Sequence, residues 1–290
     1  MELELIIDKM RLVAGAAALA AALVAVESQD PAGGWMAYAV GQVPAGTERI
    51  TKLEMSWVVS GGPQDPPHGR AFYSPWFGMD PADNLNLIQP VNPWSGHAWS
   101  MYTSVPCPPL HSKSPLTPHP TLCASEYFQW RPEDNRNSHA VGVKSGQTLR
   151  GYLHYIEASD SYNLTQSVVE TGAISTQIVK CQAGKKYTLP YVVYEKLFPC
   201  RSYPPAEKVV FTDIVAECDG KDCAASIQWK PMVKDANCEM TAHIAPGNKE
   251  ISITWNTKAT SRYDNLTESE LFDLNMHGQW AERLSLSRPR

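Results

Sequence analysis

Two polar side chains interrupt otherwise apolar strand patterns: Gln89 in Leu85–Val91 and Glu195 in Tyr187–Phe198. In LNLIQPV, two-residue alternation places Leu85, Leu87, Gln89 and Val91 on one face. An amide on such a face either pairs with a backbone group or water, or looks into a groove and polarises a substrate. Unpaired, it costs about 1–3 kcal/mol. In YTLPYVVYEKLF, the same alternation aligns Leu189, Tyr191, Val193, Glu195 and Leu197. A carboxyl there either lies in water at a sheet edge or is buried. Burial would raise its pKa, keep it protonated in acid and suit it to acid–base work.

Other catalytic patterns are missing. The chain has no GxSxG, no HExxH, no Walker loop and no GxGxxG between a strand and a helix. No strand carries the E-x-D-x-x-E carboxylates of sandwich glucanases, and the eight histidines are scattered. No cysteine spacing makes a zinc site, so neither a metal nor a cofactor is expected.

The elements that must position Gln89 and Glu195 read as strands. Of 290 residues, only 19% are charged, while 23 prolines and 18 glycines supply turns. The first clear strand is Lys52–Ser60. The stretch Phe72–Trp94 follows, then a strand from Trp99. Further strand patterns occupy Tyr127–Arg131, Ala140–Val143, Thr148–Ala158, Leu164–Glu170, Ala173–Val179, Tyr187–Phe198, Val209–Ala216, Ala225–Lys230 and Glu250–Asn256. Turn pairs such as Ser145-Gly146 and Pro246-Gly247 punctuate them. This predicts an all-β fold: a two-sheet antiparallel β-sandwich within residues 29–256. Trp35–Gly46 reads as a short lead-in. The proline-rich segment Ser104–Ser125 has no hydrophobic period and reads as an insertion, either a loop pinned by Cys107 and Cys123 or foreign to the mature fold. In the extension 257–290, Glu268–Leu284 has a short helix pattern with Thr267 placed to cap it.

The N-terminus reads as a secretory signal. Lys9 and Arg11 precede LVAGAAALAAALVAV, shorter than a membrane span, and cleavage is expected near Ser28. Met10 is an alternative start. The sequons at Asn163 and Asn265 fit an exported glycoprotein. The seven cysteines fit disulfides in an oxidising compartment. Cys218 and Cys223 flank a turn and can close a small loop; Cys181, Cys200 and Cys238 remain for a second bridge, with no means of choosing among them. The net charge of -5 gives no footprint for nucleic acid, and no membrane association is expected after signal cleavage. Nine tryptophans and twelve tyrosines suit grooves for peptides or glycans as well as cores.

Several of these segments together resemble the eqolisin family of glutamic peptidases, secreted acid endopeptidases with a concanavalin A-like sandwich. WFGMD (Trp76–Asp80) resembles that family's W-V-G-I-D, and LIQPV (Leu87–Val91) its L-Q-T-G-V. FQWRPE (Phe128–Glu133) resembles Y-E-W-Y-P-D, VKSGQTL (Val143–Leu149) its glycine turn and strand, and VVYEKLF (Val192–Phe198) its W-I-V-E-D-F, with VVFTDI (Val209–Ile214) beyond. The order is kept from Leu53 to Ile214. The resemblance implies that Gln89 donates a hydrogen bond to a developing oxyanion. Glu195 would activate water and return a proton to the leaving amine. It implies a peptide or protein substrate, with Asp80 and Tyr191 at the binding cleft and Trp76, Trp94 and Trp130 either lining it or filling the core. Departures accompany it. The family has two glutamates four residues apart on this strand, and Tyr191 stands at the first. Gln129 replaces a glutamate, and Pro-Val-Asn follows Gln89. If Glu195 faces Gln89, hydrolysis is expected; if Tyr191 does, the sandwich is expected to bind peptides or glycans without cleaving them.

Overall fold

The computed structural model describes residues 35–63, 73–82, 87–104, 137–181, 184–195, 198–234, 236–267 and 269–271. In chain order its strands are β1 (Trp35–Gln42), β2 (Ile50–Val58), β3 (Ser74–Pro81), β4 (Gln89–Val91), β5 (Trp99–Ser104), β6 (Val141–Val143), β7 (Thr148–Ile156) and β8 (Ser161–Val168). There follow β9 (Ile174–Lys180), β10 (Tyr187–Glu195), β11 (Lys208–Cys218), β12 (Lys221–Asp222), β13 (Gln228–Val233), β14 (Thr241–Ile244) and β15 (Ile251–Thr254). They form two antiparallel sheets. The front sheet runs β13-β1-β10-β3-β4-β5-β6, and the back sheet β14-β15-β11-β2-β7-β8-β9, with β12 paired to β11. The expected all-β sandwich is what forms.

The sheets stack through their alternating apolar residues. Phe77, Met79, Ile88, Met101, Val192 and Tyr194 from the front meet Leu53, Met55, Trp57, Leu149, Leu153, Leu164 and Phe211 from the back. Gly151 on β7 marks a close approach of the sheets: a Cβ there would stand 2.6 Å from Phe77 and 2.8 Å from Pro90. A side chain at that point would lift β3 and β4 off the back sheet. Gln166 ties the layers with polar contacts. With its amide turned to donate, its nitrogen reaches the Val91 and Tyr102 carbonyls at 3.0 and 3.1 Å.

Three expectations are corrected. Trp35–Gln42 is a strand within the front sheet, between β10 and β13, rather than a lead-in. Its pattern is hidden because a bulge between Trp35 and Ala37 breaks the alternation: Trp35 pairs with Glu195, but Ala37 already pairs with Tyr194. The Ala225–Lys230 strand begins later, at Gln228, because Ala224–Ser226 forms a 3-10 turn. Thr241–Ile244 is a strand the alternation did not reveal.

The second bridge is Cys200–Cys238, alongside Cys218–Cys223, and Cys181 is a buried free thiol. The described residues beyond 256, 257–267 and 269–271, pack back on the sandwich, burying Tyr263 and Leu271. Thr267 does cap a helical turn at 269–271. Its backbone N–H donates to Glu270 Oε2 at 2.8 Å, and the Glu270 N–H donates to Thr267 Oγ1 at 3.3 Å. The signal segment, Tyr127–Arg131, nearly all of the proline-rich insertion and the remainder of the C-terminal helix lie outside the described residues.

Candidate functional site

Gln89 and Glu195 both point away from the sandwich core, on the outer face of the front sheet. Alternation along β3 and β10 puts Ser74, Trp76, Gly78 and Asp80, and Tyr191, Val193 and Glu195, on that face, opposite to Phe77 and Val192. The bulge in β1 turns both Met36 and Ala37 inward, so Trp35 and Tyr38 reach the same outer face although three residues apart. There Trp35 makes edge-on contacts with Tyr38, Trp76 and Tyr191, at centroid distances of 5.2, 5.0 and 5.3 Å. Val91 and Val193 complete this second apolar cluster, with Leu87, Leu189 and Tyr102 partly exposed around it.

The register orders the face into rows across the strands. Trp35, Glu195 and Ser74 form one. The next is Tyr38, Val193, Trp76, Val91 and Tyr102. In the third, Tyr191 lies opposite Gly78. Trp76 opposite Val91 and Met79 opposite Ile88 set Gly78 opposite Gln89. Gly78 thus separates Gln89 from Tyr191 with no side chain of its own. A Cβ there would come within 2.6 Å of the Ile88 carbonyl and 3.0 Å of Gln89 Cβ.

Glu195 lies four residues beyond Tyr191, about 13 Å along the strand. Trp76 Nε1 donates to Glu195 Oε2 at 2.9 Å, which holds the carboxylate in the row of Trp35 and Ser74. The negative charge extends to Tyr102, whose phenol is pushed up to about 12, first by burial and then by Glu195. Two polar atoms on this face are buried with no hydrogen-bond partner: Gln89 Oε1 and Ser74 Oγ. Gln89 is 6% exposed, so its orphaned oxygen carries a desolvation cost of about 1–3 kcal/mol that a bound donor would remove.

The other residues named from sequence divide. Trp76, Asp80 and Tyr191 share the outer face with Gln89 and Glu195. Trp94 instead packs with the inter-sheet core, 5.3 Å from Trp99 and over Gly62. Trp130 lies outside the described residues. Sequence reasoning missed Trp35, Ser74 and Tyr102. Only Tyr102 could have been found by continuing the alternation of WSMYT.

No family model matches the sequence, and no curated protein matches it. Solved structures do match. The two sheets have the fold of the glutamic peptidases of the eqolisin family, at low sequence identity. Among these is scytalido-glutamic peptidase crystallised with a peptide-based transition-state analog. It is 13% identical, with 77% of this chain and 98% of that chain covered and a TM-score of 0.51. The same peptidase with a transition-state analog inhibitor gives 13%, 77% and 98%, and 0.50. SCP-B, an eqolisin-family peptidase bound to the tripeptide Ala-Ile-His, gives 12%, 77% and 98%, and 0.49.

Proposed function

We propose that this chain is a secreted, peptide-binding β-sandwich that holds an extended peptide on the outer face of its front sheet without hydrolysing it. One observation carries this reading: Tyr191, not a carboxylate, stands across Gly78 from Gln89. Water activation between an amide and an acid needs both within reach of one water, about 3–6 Å. Glu195, four residues along and tied to the Trp76 indole, belongs to a different row.

In this reading Gln89 accepts a backbone N–H through its orphaned Oε1, and the partly exposed Leu87, Leu189 and Tyr102, backed by the buried rings of Trp35, Trp76 and Tyr191, meet apolar side chains of the peptide. The two disulfides among the described residues favour an oxidising compartment, and among those residues no helix is long and apolar enough to cross a membrane.

The competing reading is a glutamic acid endopeptidase that uses Gln89 and Glu195. It is favoured by both residues occupying one aromatic-lined face. Incubating denatured protein substrate with wild type, Gln89→Ala and Glu195→Gln at pH 2–5 separates the two. No cleavage by any form is expected. Cleavage by wild type that both substitutions abolish would establish the peptidase instead.

A further inference from the structure

We infer that the outer edge of β9 pairs with the same edge of a second copy of this chain, antiparallel and about a twofold axis through Thr176. This interaction belongs to the back sheet and goes beyond the peptide-binding reading.

β9 ends its sheet, with β8 on one side and no strand among the described residues on the other. Side-chain exposure agrees. On the solvent face of β8, Asn163, Thr165 and Ser167 are half-buried between neighbouring strands. On β9, Ile174, Thr176, Ile178 and Lys180 are exposed, Ile174 at 57% and Ile178 at 67%. The ladder fixes which backbone groups are open. Val168 N–H donates to the Ala173 carbonyl at 2.9 Å, and Cys181 N–H to the Asp160 carbonyl at 2.8 Å. Bonded pairs recur at every second residue of an antiparallel ladder, so Ser175, Gln177 and Val179 face β8 in the same way. The N–H and C=O groups of Ile174, Thr176, Ile178 and Lys180 therefore point out of the sheet.

The other sheet ends are blunted: β6 has three residues, β14 has four, and β13 carries Lys230 and Pro231. β9 has seven residues, no proline and an unbroken register, with its one lysine in last place. It is also held in position from beneath. Ser175 Oγ donates to the His139 carbonyl at 2.6 Å, and Gln177 Nε2 to the Thr103 carbonyl at 3.0 Å. An edge fixed in this way has little ordering cost left when a partner arrives.

The edge matches itself. Centring an antiparallel pair on Thr176 sets Ile174 against Ile178 of the second copy, and Ile178 against its Ile174. Each of these pairs exchanges two backbone hydrogen bonds, and the exposed isoleucines cover one another. Lys180 of each copy comes beside the other's Val169–Thr171 turn, which carries the exposed Glu170. A twofold pairing uses each edge once, so it closes as a dimer and does not grow into a filament.

Sedimentation velocity of the full chain from about 1 to 200 μM covers the range in which a small interface associates. Wild type should pass from monomer to dimer across it. Ile174→Lys and Ile178→Glu each set a charge against an isoleucine at both contacts, and each should weaken the dimer by about tenfold. The double variant sets the introduced opposite charges against each other, and should dimerise about threefold or more tightly than either single variant. Both positions are exposed, so circular-dichroism melts should show all the variants folded.

Wild type that stays monomeric throughout would overturn the pairing and leave the edge to solvent or to another segment of its own chain. A dimer that neither single variant weakens would also overturn it. So would one that both weaken and the double variant does not recover, since that recovery depends on the register.

Discussion

The glycine between Gln89 and Tyr191 provides a sharp test of the site's geometry. In Gly78→Ala the new methyl would stand 2.6 Å from the Ile88 carbonyl, 3.0 Å from Gln89 Cβ and 3.2 Å from Leu87 Cδ1. The carbonyl cannot swing away, because Met79 and Ile88 exchange two backbone hydrogen bonds at 3.0 Å. Moving it from 2.6 Å to the 3.4 Å of ordinary contact forces β4 away from β3 or bends β3 itself. Overpacking of this kind costs about 1–3 kcal/mol. For a chain of this size that lowers Tm by about 2–12 °C, at roughly 2–4 °C per kcal/mol. The control lies in the same sheet: a Cβ on Gly142 of β6 meets nothing within 4 Å, so Gly142→Ala should be neutral or slightly stabilising. Thermal melts by circular dichroism measure both. Peptide anisotropy should show Gly78→Ala weakened and Gly142→Ala unchanged. If the two variants melt together, the close approach of Gly78 to Ile88 and Gln89 is refuted, and the row built on it fails.

Other outcomes follow from the same structure. Removing the 38-residue Cys200–Cys238 link by paired serine substitutions should cost about 4 kcal/mol in urea unfolding, against about 2 for the five-residue Cys218–Cys223 link. Equal losses would refute the loop-closure account. Burial pushes the Cys181 thiol up to about 12, so iodoacetamide at pH 8 should modify it only after unfolding; rapid labelling of folded protein would contradict its burial. The Glu207 carboxylate is held below the ordinary glutamate range, first by the Thr257 hydroxyl and then by its backbone N–H. A carboxylate lowered in this way adds stability above its unfolded pKa and loses it as pH falls through its folded one. Glu207→Gln should therefore flatten the acid limb of Tm against pH, and a limb identical to wild type would show that the bonds contribute nothing.

Much of the outer face was legible in the sequence because alternation along LNLIQPV and YTLPYVVYE carries through to the folded strands. It correctly put Gln89, Tyr191 and Glu195 on faces of one kind, and the four-residue separation of Tyr191 and Glu195 already showed that they could not share a row. The β1 bulge was not legible. WMAYAVGQ alternates only after Met36 and Ala37 are both turned inward, and no residue there announces the extra step. Whether Trp94 lines the cleft or belongs to the core was not legible, because no strand pattern runs through Pro93. In the structure Trp94 meets Tyr73 and Trp99 through isolated bridges, and its ring turns to the core. The Cys200–Cys238 pairing depends on a fold-level event, the turn at Asn237–Glu239 returning to Phe198, where Asn237 donates to Ser261 Oγ at 3.0 Å. Local spacing has no access to such an event.

The place of β1 has a consequence for how the chain is made. Its hydrogen-bond partners are β10 and β13, and β10 begins roughly 150 residues later. At 5–20 residues per second, synthesis leaves WMAYAV without its partner strands for about 8–30 s. Over that interval a ribbon of Trp, Met, Tyr and Val presents two open edges, with no proline or charge to blunt them. The front sheet therefore closes only when most of the polypeptide has emerged.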